Sequence, residues 1–295
     1  MEKIQDFKGV VFDMDGVLKI GKNKIKGAEN IFTRLQDRAM IVTNECRRTP
    51  GVIKQELLDM GIDIAETPIL TSGIMTYNYI FDIINMKENI NTIFNVFTIG
   101  EDGLLEVLEE LSFLPNYKKI TESFIERALK KNKVFKDCDR YVNYMIIGSI
   151  NNIDIKLISL INNYFKVFSN VKVIITCPDE IDPEGDNIIV PKHLIHILNY
   201  NKTEEILPYY TGKPNPLIAK YIKNYFKEKF GTEKDADTVF VGDTLETDIK
   251  LANEALFKSV LVLSGNTKQE DLKKSLITPD YVIDSVDDLF TVIDR

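Results

Sequence analysis

The sequence predicts an α/β fold: a doubly wound parallel sheet carried by both ends of the chain, with a second α/β unit inserted between them. Three observations lead there. Short apolar runs rich in Val, Ile and Phe, at Val10–Phe12, Met40–Val42 and Ile69–Leu70, alternate with segments of helical periodicity. That order builds a parallel sheet with helices on its faces. The same rhythm returns at Val239–Gly242, Val260–Leu263 and Tyr281–Ile283, after a long stretch with strand-like and helix-like segments of its own. The boundaries this suggests are residues 1–86 and 209–295 for the divided sheet domain and 87–208 for the insertion.

Taken in order, Val10–Phe12 is a run of β-formers bounded by Gly9 and Gly16, which suits a strand buried on both faces. It ends in Asp13 and Asp15, two carboxylates one residue apart. Ala28 to about Asp37 is helical, with Ile31, Phe32 and Leu35 on one face. Thr49-Pro50 opens the next helix as cap and first residue, and Gly61 closes it. Ile69–Ser72 leads into a helix through Ile84. In the insertion, strands are expected at Val96–Gly100, Tyr144–Gly148 and Val171–Thr176, and helices at Leu104–Leu111, Glu122–Lys130 and Ile155–Phe165. Gly100 and Gly103 mark a plain strand-to-helix turn, since the chain contains neither Gly-x-Gly-x-x-Gly nor a Walker-type Gly-Lys-Ser/Thr. Gly212-Lys213-Pro214-Asn215-Pro216 then opens a helix running to about Phe230.

Composition narrows the function classes. A hydrophobic share of 44% with 28% charged residues is ordinary globular chemistry. The net charge of −8 argues against nucleic-acid and anionic-membrane partners, which need a basic face, while leaving room for a small phosphorylated molecule. Cys46, Cys138 and Cys177 form no C-x-x-C pair. Their scatter, with no membrane-length apolar run and no signal-peptide pattern, leads to the expectation of a soluble cytoplasmic protein.

Several apolar runs end in polar groups: Asp13 and Asp15, Thr43 and Asn44, Asp243 and Asp248, with Lys213 at the mouth of a helix. In a parallel sheet these collect at one rim, where open α/β sheets bind ligands. Each has a plain structural explanation when taken alone. Asp15-Gly16 can be a turn, Thr43-Asn44 a strand-end cap, Lys213 a solvated lysine, and the late acids helix-entry residues. Core packing gives no reason for all of them together.

Asp13-Met14-Asp15-Gly16-Val17-Leu18, Thr43-Asn44, Gly212-Lys213-Pro214 and Gly242-Asp243-x-x-x-x-Asp248 resemble the four ordered motifs of the haloacid dehalogenase (HAD) superfamily. Arg47-Arg48-Thr49-Pro50, Leu70-Thr71-Ser72-Gly73, Gly100–Leu104 and Gly212–Pro216 resemble its p-nitrophenylphosphatase, phosphoglycolate phosphatase, pyridoxal phosphatase and NagD-type branch (subfamily IIA). The resemblance implies a Rossmann-like core with an inserted α/β cap. It also implies an Mg2+-dependent phosphatase that hydrolyses a small phosphomonoester through an aspartyl-phosphate. By resemblance Asp13 is the nucleophile and Asp15 the general acid and base, an acid that the dehalogenases lack. Mg2+ is held by Asp13, the Asp15 backbone carbonyl and Asp243, with Asp248 orienting them; Thr43, Asn44 and Lys213 bind phosphate. Alternatives on the same fold are a phosphotransferase or mutase, or a catalytically silent binding protein. A homodimer through the cap is a family-level expectation.

The departures from the branch bear on substrate rather than on reaction. Glu45-Cys46 follow Thr43-Asn44 where a small polar pair is usual, and a carboxylate there needs to point away or pair with Arg47 or Arg48. Ser149 stands where an Asp usually follows the glycine, and Thr176-Cys177-Pro178-Asp179 keeps part of the family's cap loop. Asp179, Lys192 and His193 are the candidate substrate residues of the cap. His193 and His196 lie on one helix face, without an evident third metal ligand. The acids from Asp179 to Asp186 read as a solvated loop.

Overall fold

The computed structural model describes residues 4, 7–86, 89, 91–135, 140–180, 188–200, 205–232 and 234–292. Cys138 and most of the acidic stretch after Asp179 lie outside the described residues. The chain divides into two compact units, the first made of residues 1–44, 50–71 and 212–295 and the second of 45–49 and 72–211.

The first unit opens with β1 (Gly9–Phe12), a short hairpin of β2 (Lys19–Ile20) and β3 (Asn23–Lys24), α1 (Ala28–Leu35), β4 (Ala39–Thr43), α2 (Pro50–Asp59) and β5 (Ile69–Thr71). All four residues of β1 are buried, as expected of a strand with neighbours on both edges and helices on both faces. Helix α1 buries Ala28, Ile31, Phe32 and Leu35, one face at helical spacing.

The second unit contains α3 (Ser72–Asn85), β6 (Ile93–Ile99), α4 (Asp102–Glu109), β7 (Tyr117–Lys119), α5 (Glu122–Lys130), β8 (Tyr141–Ile147), α6 (Ile155–Val167), β9 (Lys172–Ile175), α7 (Pro191–Asn199) and β10 (Tyr209–Tyr210). Its sheet is five-stranded and parallel in the order β10-β9-β8-β6-β7. This unit begins at Ser72 rather than near residue 87 because Ile80 and Ile84 of α3 pack with Phe94, Val96, Leu104 and Tyr144. Residues 45–49 join it as well. The Gly103 amide donates to the Arg47 carbonyl over 2.8 Å. A Cβ at Gly103 would meet the Arg48 backbone at 2.5 Å, so only glycine permits that approach.

The first unit resumes with α8 (Pro216–Phe230), β11 (Thr238–Gly242), a π-helical turn at Leu245–Ile249, α9 (Lys250–Ala255), β12 (Lys258–Val262), α10 (Gln269–Leu272), β13 (Tyr281–Ile283) and α11 (Leu289–Val292). Asn215 caps α8 by accepting the Leu217 amide at 2.8 Å, Pro216 occupies the first turn, and Gly231 closes the helix in the left-handed region. The sheet is six-stranded in the order β13-β12-β11-β1-β4-β5, every pairing parallel. Strand β1 is thus flanked by β11 and β4, and all three present their carboxyl ends at one rim. The doubly wound α/β architecture expected from the sequence is the one observed. Among the described residues no helix is long and apolar enough to cross a membrane.

Candidate active site

The rim of the first unit is built by register. Phe12 pairs with Val241 on one side and Ile41 on the other, so Asp13, Thr43 and Asp243 leave neighbouring strands close together. The Asp13 amide continues the ladder, donating to the Val241 carbonyl at 2.9 Å. Lys213, from the segment that enters α8, reaches in from the side. Its Nζ lies 2.5 Å from Asp13 Oδ1 and 2.7 Å from Asp248 Oδ1.

Carboxylate oxygens of Asp13, Asp243 and Asp248 all come within 4.8 Å of one another. Asp248 is held by the π-helical turn, where its Oδ2 accepts the amides of Asp243 and Thr244, each at 3.1 Å. Asp243 Oδ1 accepts the Thr244 hydroxyl at 2.9 Å, and its Oδ2 accepts the Asn266 amide at 2.6 Å. Gly16 has φ +82, and a Cβ there would collide with Asp243 Oδ2. The Asp-Gly pair of the first motif therefore serves the acid at the end of β11 as well as its own turn.

These charges are almost wholly withdrawn from water: Asp13 is 7% exposed, Lys213 2%, Asp243 1% and Asp248 0%. Burial, reinforced by Asp248 and Asp243 against the pull of Lys213, raises the Asp13 pKa well above the ordinary carboxylate value. Asp243 is pushed up to about 7 by burial and by Asp248. Burial alone would depress Lys213, but Asp13 and Asp248 more than offset it and its pKa rises. Three carboxylates against one ammonium leave a negative excess in a poorly solvated place, which raised carboxylate pKa values express. A hard divalent cation fits such a donor set, because buried oxygen ligands with surplus negative charge are what Mg2+ binds.

The other residues singled out by the sequence fall as follows. Thr43 is buried at the end of β4. Asn44 Oδ1 accepts the Lys213 amide at 2.8 Å and its Nδ2 donates to the Lys213 carbonyl at 3.4 Å, so its side chain holds the lysine's backbone in place. The Asp15 carboxylate is not in the triad; it pairs with Lys19 at 2.5 Å. In the second unit, Glu45 is clamped by both arginines. Its Oε1 accepts the Arg47 amide at 2.5 Å, and its Oε2 lies 2.9 Å from Arg47 Nη2 and 2.5 Å from Arg48 Nη2. Also in that unit, Lys192 pairs with Glu180 at 2.5 Å, Asp179 is half-buried, and His193 and His196 are exposed on α7. Among the described residues, the one cluster suited to a metal contains no histidine.

Sequence reasoning missed the segment after β12. Besides Asn266, the Thr267 amide donates to the Asp243 carbonyl at 3.1 Å, and the Ser264 hydroxyl to the Gly16 carbonyl at 2.7 Å. A Ser-Gly-Asn-Thr run following a strand is an available signal, but it reads as an ordinary turn until its neighbours are known.

A haloacid dehalogenase-like hydrolase family model matches residues 10–114 and a HAD-hydrolase-like model matches residues 210–289, together more than half of the chain. A dihydroxyacetone phosphatase from Corynebacterium glutamicum is 26% identical over 94% of this chain and 88% of its own length. The structure of a 4-nitrophenylphosphatase from Thermotoga maritima superposes with a TM-score of 0.73 at 22% identity, covering 98% of each chain. That of a glycerol phosphate phosphatase from Mycobacterium tuberculosis, in complex with magnesium, superposes with a TM-score of 0.74 at 17% identity, covering 99% of this chain and 79% of the other. The fold and the matched motifs are those of a hydrolase with a parallel-sheet core. The chain belongs to the haloacid dehalogenase-like hydrolases.

Proposed function

We propose that the protein is an Mg2+-dependent phosphatase that hydrolyses a small phosphomonoester through an aspartyl-phosphate on Asp13. One observation carries the reading. Asp13, Lys213, Asp243 and Asp248, drawn from distant parts of the chain, converge at the carboxyl end of one sheet with Lys213 bonded to Asp13. The names of the relatives, phosphatases of dihydroxyacetone, 4-nitrophenyl and glycerol phosphates, support the substrate class.

In this mechanism an oxygen of Asp13 attacks phosphorus in line, and the bond from phosphorus to the leaving oxygen breaks. Asp15 donates its proton to that leaving oxygen. In the second half-reaction water attacks the phosphorus, the bond to Asp13 breaks, and Asp15 takes the water's proton. Lys213, fixed by Asn44 at its backbone, supplies positive charge beside the nucleophile, and Thr43 offers a hydroxyl at the end of the adjacent strand. Asp13, Asp243 and the Asp15 carbonyl would hold the ion, with Asp248 orienting them. When bound, Mg2+ supplies charge neutralisation for the transferring phosphoryl group.

The test is phosphate release from a panel of phosphomonoesters, with and without Mg2+, by the parent and by Asp13→Asn. Metal-dependent turnover by the parent alone is the expected result. Equal release by the two proteins, or none from any ester, would refute the proposal.

A further inference from the structure

Among the described residues two lysines are buried, Lys19 at 1% exposure and Lys213 at 2%, and each ends on a carboxylate of the opening motif. Lys213 meets Asp13, as the family motif implies. Lys19 lies in no motif noted in the sequence, yet its Nζ is 2.5 Å from Asp15 Oδ1. It is among the bulkiest side chains wholly removed from solvent.

The pair is built into the backbone. The Leu18 and Lys19 amides donate to the Met14 carbonyl at 2.8 and 3.2 Å, and the Gly16 amide donates back to the Lys19 carbonyl at 2.7 Å. The turn is then extended by β2 and β3, in which Lys19 faces Lys24. The position of Lys19 relative to Asp15 is thereby set by main-chain bonds, and the ammonium also lies 3.4 Å from the Gly21 carbonyl.

Burying an ammonium costs several kcal/mol before pairing, and an apolar residue of similar volume commonly packs as well or better. The pair is thus poorly explained as a device for stability. What it does accomplish is to hold one carboxyl group, on an otherwise irregular turn, in one orientation. Proton transfer demands that: the acid must lie within hydrogen-bond reach of the leaving oxygen, and a displacement of about 1 Å can cost about a hundredfold.

We propose that Lys19 is a positioning residue for proton transfer, its ammonium engaging Oδ1 of Asp15 so that the other carboxyl oxygen serves the leaving group and then the water. The inference rests on the phosphatase reading above. The proton passes from Asp15 to the leaving oxygen as the P–O bond breaks, and returns to Asp15 from water as the aspartyl-phosphate is hydrolysed. Lys19 neither gains nor loses a proton in the cycle.

The leaving group separates this role from a structural one. An alkyl alcohol must be protonated as it departs, whereas 4-nitrophenolate departs readily unprotonated. The values of kcat/KM report steps up to the first irreversible one, so glycerol phosphate and 4-nitrophenyl phosphate are compared for the parent, Lys19→Met and Lys19→Arg in the presence of Mg2+. The expected result is a kcat/KM for glycerol phosphate that falls at least about tenfold more in Lys19→Met than does that for 4-nitrophenyl phosphate, with Lys19→Arg intermediate. Equal losses on both esters, or no loss on either, would overturn it. Should Lys19→Met not fold, Lys19→Arg alone decides, since an unchanged ratio of the two kcat/KM values is equally fatal. A parent inactive on both esters would instead count against the phosphatase reading itself.

Discussion

In the first unit the central strand β1 runs out onto Asp13, and three buried carboxylates from two distant segments gather around one lysine. In the second unit the neighbouring strands β6 and β8 bury Asn95 against Asn143, with Nδ2 to Oδ1 at 2.9 Å, and Asn143 Nδ2 donates to the Ser169 carbonyl at 2.9 Å. Both units are parallel sheets dressed with helices, so backbone architecture does not distinguish them. They differ in what the central strands carry: a neutral, hydrogen-bonded asparagine pair in one, and charged groups in negative excess at the strand ends of the other. Function resides in that imbalance rather than in the fold.

The sharpest way to break the contrast is to remove the proposed nucleophile. Asp13→Asn keeps the shape of the cluster and takes away one of its negative charges. Turnover is expected to fall by about four orders of magnitude or more, as when a nucleophile is lost elsewhere. The metal-free protein should become more stable in denaturant, because a buried carboxylate that burial and its neighbours disfavour has been neutralised. Lost activity together with lost stability would mean that Asp13 is a structural partner of Lys213.

Lys213→Met probes the same imbalance from the other side. It leaves three acids without their cation, and breaking a buried pair by removing one partner costs about 3 to 5 kcal/mol. Denaturant titration should show that loss in the absence of metal and a partial recovery on adding Mg2+. A variant as stable as the parent would show that the cluster is better solvated than its burial implies.

The third effect is one of pH. The Asp243 carboxyl is raised from an ordinary 3.8 to about 7 by burial and by Asp248. Below the ordinary value folded and unfolded chains are both protonated, and this group's stabilising contribution is fully present. As pH rises toward about 7 the unfolded chain ionises first, and the contribution is lost. The metal-free protein should therefore lose stability across that window. Mg2+ bound as proposed would displace the same proton, so its apparent affinity should fall at least about tenfold per pH unit below the raised pKa. Calorimetric titration at pH about 5 and about 8 measures it, and equal affinity at both would contradict the raised pKa.

Much of this contrast was legible in the sequence, and unequally so. The strands of the first unit announced themselves because β1, β4 and β11 are short apolar runs, fully buried, that stop at a polar residue. The convergence of Asp13, Lys213 and Asp243 followed from placing those ends on one rim. What stayed hidden depends on edges and on long-range contact. Strands β2, β3, β7 and β10 are two or three residues long and largely polar or exposed, so they carry no alternating pattern. Lys19 sits beside a Gly- and Lys-rich connection and reads as solvated; only the turn that bends it back onto Asp15 shows otherwise. The membership of α3 in the second unit is likewise invisible locally, since its apolar face fits either sheet until its neighbours are known.

The smallest test concerns the second unit and asks whether its polar core is inert. Asn95→Leu removes the donor to Asn143 Oδ1 and leaves a buried oxygen unsatisfied, at a cost of about 1 to 3 kcal/mol. Replacing both asparagines with leucine removes that orphan, while the Ser169 carbonyl loses the bond from Asn143. The double variant should therefore lose less than the sum of the single variants, because the two side chains share one bond. Thermal midpoints of the three variants measure that coupling. Turnover of a good substrate at a temperature where every variant is folded should be unchanged, because neutral satisfied pairs hold no charge for chemistry to use. A drop in kcat without a drop in the fraction folded would show that the second sheet tunes the reaction, and the division drawn between the two units would have to be redrawn.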